Sequence, residues 1–178
     1  LLLLCIPLSY AFSSIALGIF AGIALITFKK ENYKVKKNLI PAILLYVLMV
    51  LSLLWTLSTS RTLSSLSKEI PLLLLPLCFF IIKPFSKDQV SKLLQYYSYG
   101  MVGYALFYFI KATIRYLVTK DSSVFFYHEL VTKDLNAIHV SVYMSLACFY
   151  FLTKKNKNTI EKIAICLLTV LILFLSSK

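Results

Sequence analysis

Residues 39–57 read LIPAILLYVLMVLSLLWTL, nineteen residues without a charged side chain. A helix that crosses a bilayer needs about 20 predominantly apolar residues, and this stretch has that length and character. Five lysines crowd residues 29–37 just before it. Just after it, residues 58–70 carry Arg61, Lys68 and Glu69 and read as a short polar loop.

The same alternation runs along the whole chain. Residues 1–28 form one apolar block, long for one span and short for two. Pro7 and the small polar stretch 9–14 favour a truncated helix, a tight turn and a second helix over about 12–28, with one long tilted helix as the alternative. Residues 71–82 make a short span between prolines, either re-entrant or extended back to about residue 66. Residues 83–92 are basic, 93–110 form a span rich in Tyr and Phe, and 111–137 form the longest polar segment. Residues 138–152 form a further span, 153–162 a basic loop, and 163–175 the last span.

Composition agrees with this reading. Of 178 residues, 60% are hydrophobic and 15% charged, with a mean hydropathy of +0.83. A soluble domain has about 45–50% apolar and about 25% charged residues. The surplus here sits in long blocks, so the expected fold class is all-α. The chain reads as a polytopic transmembrane helix bundle with about six or seven spans, forming one transmembrane domain over residues 1–178. The opening run of four leucines, without Met, and the close on Ser176-Ser177-Lys178 directly after an apolar run read as cut ends. The chain is therefore expected to be an internal piece of a longer protein.

Lys and Arg are retained on the cytoplasmic side of short loops. Twelve fall in the segments 29–37, 83–92 and 154–162; seven (Arg61, Lys68, Lys111, Arg115, Lys120, Lys133 and Lys178) fall in the alternate ones, four of them spread over 111–137. The basic short loops are thus expected inside, and the segment 111–137 outside. The net charge of +12 is mostly this topology signal. No soluble region carries a basic stripe interleaved with aromatics, which argues against nucleic acid as a partner. Cys5, Cys78, Cys148 and Cys166 lie inside apolar spans and form no CxxC pair, so they read as small buried residues, with neither a disulfide nor a metal site expected. Gly18 and Gly22 form a GxxxG pair, a signal for close helix packing.

Both histidines of the chain, His128 and His139, fall in residues 122–151. His139 opens an apolar helix; the alternatives are a structural hydrogen bond at the helix start, or acid–base work and head-group binding near neutral pH. Asp134 and Asn136 precede that helix and suit its cap. Tyr143 lies one turn below His139. Lys111 and Arg115, four residues apart, suit either snorkelling anchors or a cradle for a lipid phosphate or diphosphate.

The runs Phe126-Tyr127-His128-Glu129-Leu130 and Ile138-His139-Val140-Ser141-Val142-Tyr143-Met144-Ser145-Leu146 resemble the O-antigen ligase and polymerase family of bacterial envelope glycosyltransferases. Members often open a membrane helix with His-Pro-x-Tyr or His-x-x-Tyr and end the next with Ser-Arg-Gly. In this chain Val140 replaces the frequent proline, Tyr143 stands four residues after His139, and Ser176-Ser177-Lys178 stands at the second position.

The resemblance implies part of a larger lipid-donor glycosyltransferase-like fold in the bacterial inner membrane, with no cofactor and no metal. The partners it implies are an undecaprenyl-diphosphate-linked glycan, an acceptor glycan or glycolipid, and membrane lipid. It implies His139 and His128 as catalytic candidates and Arg115, Lys178, Tyr143 and Lys111 as substrate-binding candidates. It also implies a large loop after Lys178 that carries further catalytic residues, so that this fragment alone is expected to be inactive. A transporter or flippase, and a non-catalytic subunit of a membrane complex, are the alternatives; inverted repeats and midplane charges would mark the first, and neither is evident here.

Overall fold

A computed structural model describes residues 2–5, 7–8, 10–131 and 135–176. Among them all regular structure is helical. The contacts divide the chain into two compact units, Leu1–Ser14 with Ser86–Lys178, and Ile15–Phe85.

In the first unit, α1 (Leu2–Cys5) stops before a turn at Pro7. The freed carbonyls find partners on α6 (Lys87–Thr119), where the Tyr104 hydroxyl donates to the Leu4 carbonyl at 2.8 Å and the Tyr108 hydroxyl to the Pro7 carbonyl at 3.4 Å. The apolar block 1–28 is thus broken, as the proline suggested, and its second part is α2 (Tyr10–Ile26), which runs on into the second unit.

α6 is longer than the expected span 93–110. Ser86 caps it, accepting from the Gln89 N–H while the Gln89 side chain accepts from the Ser86 N–H. It continues through Lys111 and Arg115 to Lys120, whose left-handed backbone (φ 57°) ends it. Its 33 residues measure about 50 Å, against about 30 Å for a hydrocarbon core. Its charged side chains, Lys87, Asp88, Lys92, Lys111 and Arg115, all fall toward its two ends, and the polar segment begins nine residues later than the charges alone suggest.

After the segment that holds α7 (Tyr127–Leu130), α8 (Ala137–Thr153) and α9 (Thr159–Ser176) pack against each other and against α6. Ala105, Ala112, Ala147 and Ala164 are all nearly inaccessible and allow close approach, while Met101, Val140, Met144, Phe151, Leu168 and Leu171 fill the space between the helices. Gly18 and Gly22 do not serve this purpose, because nothing stands within 4 Å of where their Cβ atoms would be.

One buried carboxylate ties the three long helices together. Glu161, 1% exposed, accepts from Lys154 Nζ at 2.5 Å, from the Tyr99 hydroxyl at 3.3 Å and from the Asn158 N–H at 3.0 Å. Asn158 Oδ1 accepts from the Glu161 N–H in return, at 2.8 Å, a reciprocal cap on α9. The hydrogen bond to Glu161 pushes the Lys154 ammonium above the ordinary lysine range.

In the second unit, α3 (Ile40–Leu51) is lengthened at both ends by 3-10 turns, to 18 residues over Lys37–Leu54. Residues 58–70, expected as a loop, instead form α4 (Thr59–Lys68), which runs almost without a break into α5 (Ile70–Ile81) with Pro71 in its first turn. Glu69 joins them, its N–H donating to the Ser65 and Leu66 carbonyls. Together α4 and α5 lie antiparallel to α3. The lower end of this hairpin is fixed by the Lys34 N–H, which donates to the Phe80 carbonyl at 3.0 Å, and by Lys36 Nζ, which donates to the Phe79 carbonyl at 2.8 Å. Its upper end is fixed by Thr56 and Thr62, whose hydroxyls lie 2.8 Å apart.

Four helical stretches are long and apolar enough to cross a membrane: Lys37–Leu54, Thr59–Ile81, Lys87–Thr119 and Thr159–Ser176. That is fewer than the six or seven expected. The first apolar block is divided at Pro7, and the apolar parts of α2 and α8, Ala11–Ile26 and Ala137–Thr153, are shorter helices.

Candidate functional site

The candidate residues collect at one end of the first unit, around a strap formed by residues 121–131. Lys120 turns the chain out of α6, and Asp121 fixes the next turn by accepting from the Ser123 N–H at 2.9 Å and the Ser123 hydroxyl at 2.7 Å. Those bonds, the hydroxyl's first, hold the Asp121 carboxyl below the usual aspartate range. The strap then pushes Val124, Leu130 and Val131 into the core. Phe126 packs on Phe174 of α9 at 5.3 Å between ring centroids, and Phe125 on Tyr116 of α6 at 5.7 Å.

Tyr127 adopts φ 48°, a left-handed conformation uncommon for a residue with a Cβ. It starts α7 and places His128 at the surface, its ring 4.1 Å from the Tyr127 ring, centroid to centroid. Glu129 follows, also exposed.

The basic pair of α6 holds this strap from below. Arg115 Nη2 contacts Glu129 Oε2 at 2.6 Å, and Nη1 donates to the Glu129 carbonyl at 2.8 Å. One turn earlier, Lys111 Nζ donates to the Val131 carbonyl at 2.8 Å. The two residues expected as anchors or as a phosphate cradle thus make contacts that fix the strap's backbone.

His139 lies exposed in the first turn of α8. Asn136 caps that helix, Oδ1 accepting from the Ile138 N–H at 2.9 Å; Asp134 lies outside the described residues. Tyr143 is half-buried one turn below His139, and its carbonyl accepts from the Tyr97 hydroxyl at 3.0 Å. Lys178 also lies outside the described residues.

The structure thus brings His128, Lys111 and Arg115 into one strapped segment, with His139 at the head of the helix that follows it. Two exposed imidazoles at this end can donate hydrogen bonds to an anionic group. No group of three or more His, Cys, Asp or Glu side chains able to hold a metal occurs among the described residues. Two participants were not singled out from sequence. Glu129 partners Arg115 across 14 residues and gave no local signal. Glu161 could have been found from Asn158-x-x-Glu161 directly before an apolar run, the spacing of a capping box. No family model matches the chain, and no curated protein or solved structure matches it.

Proposed function

We propose that this chain is part of a membrane glycosyltransferase of the O-antigen ligase and polymerase kind, handling a lipid-linked diphosphate glycan at the outer end of its first unit. The observation that carries the reading is the exposed pair of imidazoles, His128 on the strap and His139 at the head of α8, at the end of the unit with the fewer lysines. The likeness of residues 126–130 and 138–146 to that family supports it. In this reading Lys111 and Arg115 hold the strap in place, and the histidines face the donor. A diphosphate accepts charge-assisted hydrogen bonds, each worth about 1.5–3 kcal/mol. His139→Ala in the full-length protein should lower surface glycan about tenfold to a hundredfold, with membrane insertion unchanged; His128→Ala should act in the same direction. Normal glycan in the double variant would remove the catalytic reading.

A second reading has its own support in the Arg115–Glu129 pair, 2.6 Å long, in which the guanidinium is engaged by the strap itself. A non-catalytic subunit of a membrane complex would use the same clamp merely to close its helix bundle. It predicts that the histidine variants change nothing while loss of the clamp lowers the protein's abundance.

A further inference from the structure

The α3/α4–α5 hairpin carries unlike surfaces at the same height. Its ends, at Phe80 and at Thr62, are 18 residues apart, about 27 Å along the helix and close to the thickness of a hydrocarbon core. Lys68 lies six residues below Thr62, about 9 Å down that axis. On the α3 strand of the hairpin, the residues at these heights are apolar and exposed: Leu51, Leu54, Trp55 and, just beyond, Leu57. On α4 they are polar and equally exposed: Arg61, Ser64, Ser65 and Lys68.

With about 3.6 residues per turn, those four side chains fall within about 100° of arc. Leu66, 6% exposed, lies roughly opposite them and faces the hairpin's own interior. The stripe therefore points outward and holds two cations and two hydroxyls, with one exposed carboxylate, Glu69, at its edge one turn after Ser65. Charged groups set against lipid chains are costly unless they reach a counter-charge or the interface. Trp55, the only tryptophan of the chain, is exposed next to Thr56, whose hydroxyl meets that of Thr62 at the hairpin's upper end, and tryptophan favours the head-group level.

We infer that this stripe is a seat for the head group of an anionic phospholipid, Arg61 and Lys68 taking its phosphate between them with Ser64 and Ser65, with Trp55 at the same head-group level nearby. Arg61 supplies a planar fork and Lys68 a point charge. The inference requires only that the hairpin sits in a bilayer; it is independent of the glycosyltransferase reading.

The test uses Trp55 as its own reporter. The protein is reconstituted in mixed phosphatidylcholine and phosphatidylglycerol vesicles, with brominated chains on one lipid or the other at equal mole fraction. Brominated phosphatidylglycerol should quench Trp55 more strongly, a preference on the order of fivefold to thirtyfold, since each of the two basic residues near an anionic surface contributes about a factor of five. Arg61→Gln with Lys68→Gln should abolish the preference, and Arg61→Lys with Lys68→Arg should keep it. Helix content measured by circular dichroism selects the folded variants. Equal quenching by the two lipids in the unmodified protein would overturn the inference and assign the stripe to another protein surface. A preference that survives in a folded Gln variant would overturn it as well.

Discussion

Arg115 meets Glu129 through two contacts of different kinds. Both side chains are substantially exposed, 39% and 57%, and an exposed ion pair contributes about 0–1 kcal/mol. The second guanidinium N–H goes to the Glu129 carbonyl and fixes backbone, not merely charge. Arg115→Ala should therefore cost roughly 1 kcal/mol and loosen the strap that presents His128. The exchange Arg115→Glu with Glu129→Arg restores the pair but places an anion where a diphosphate would need a cation. Surface glycan should fall in Arg115→Ala and recover substantially in the exchange; an exchange as inactive as Arg115→Ala would make Arg115 a substrate contact. The i, i+4 spacing of Lys111 and Arg115 was legible in the sequence. Their partners were not, because they depend on the left-handed backbone at Lys120 and Tyr127, and neither is a glycine or an asparagine that would announce it.

At the scale of elements, the apolar blocks located every long helix, since hydrophobic length is a property of the sequence itself. Their ends were read less well. α4 holds seven Ser, Thr or Lys residues among its ten and has poor helix propensity, so residues 58–70 read as a loop. It is helical because packing overrides propensity: Leu66 is buried and Thr62 meets Thr56 of the facing strand. α6 was read short for the opposite reason. Charges at both ends suggested loops, yet the Ser86–Gln89 cap starts the helix before them. The cap of α9 offers a direct measurement. Asn158→Ala removes one cap and should lower stability by about 1 kcal/mol. Glu161→Ala should cost more, because it strands the Asn158 N–H, the Tyr99 hydroxyl and the Lys154 ammonium together. Thermal unfolding in detergent checks the order; a Glu161→Ala midpoint equal to that of the unmodified protein would show that the buried carboxylate ties nothing together.

For the whole molecule, the issue is whether α8 crosses the bilayer. Its 17 residues span about 25 Å, at the short limit for a transmembrane helix. Its ends answer better than its length does. At the lower end Lys154 pairs with Glu161 beside Tyr99; at the upper end Ala137 follows the strap that Lys111 and Arg115 hold. Tyr99 and Arg115 lie 16 residues apart on one unbroken helix, about 24 Å, so α8 runs alongside that stretch of α6 between two pinned ends. By the lysine count the lower end is expected inside, because Lys87, Lys92, Lys154, Lys155, Lys157 and Lys162 gather there. Single cysteines at two exposed positions, Ser122→Cys on the strap and Lys155→Cys in the lower loop, test both statements in a background without the native cysteines. Ser122→Cys should react with an impermeant maleimide in intact cells, and Lys155→Cys only after the membrane is opened. Reaction of both in intact cells would mean that α8 turns back within the membrane; reaction of Lys155→Cys alone would mean that the bundle is inverted and that the histidines face the cytoplasm, where a glycan donor at the outer surface cannot reach them.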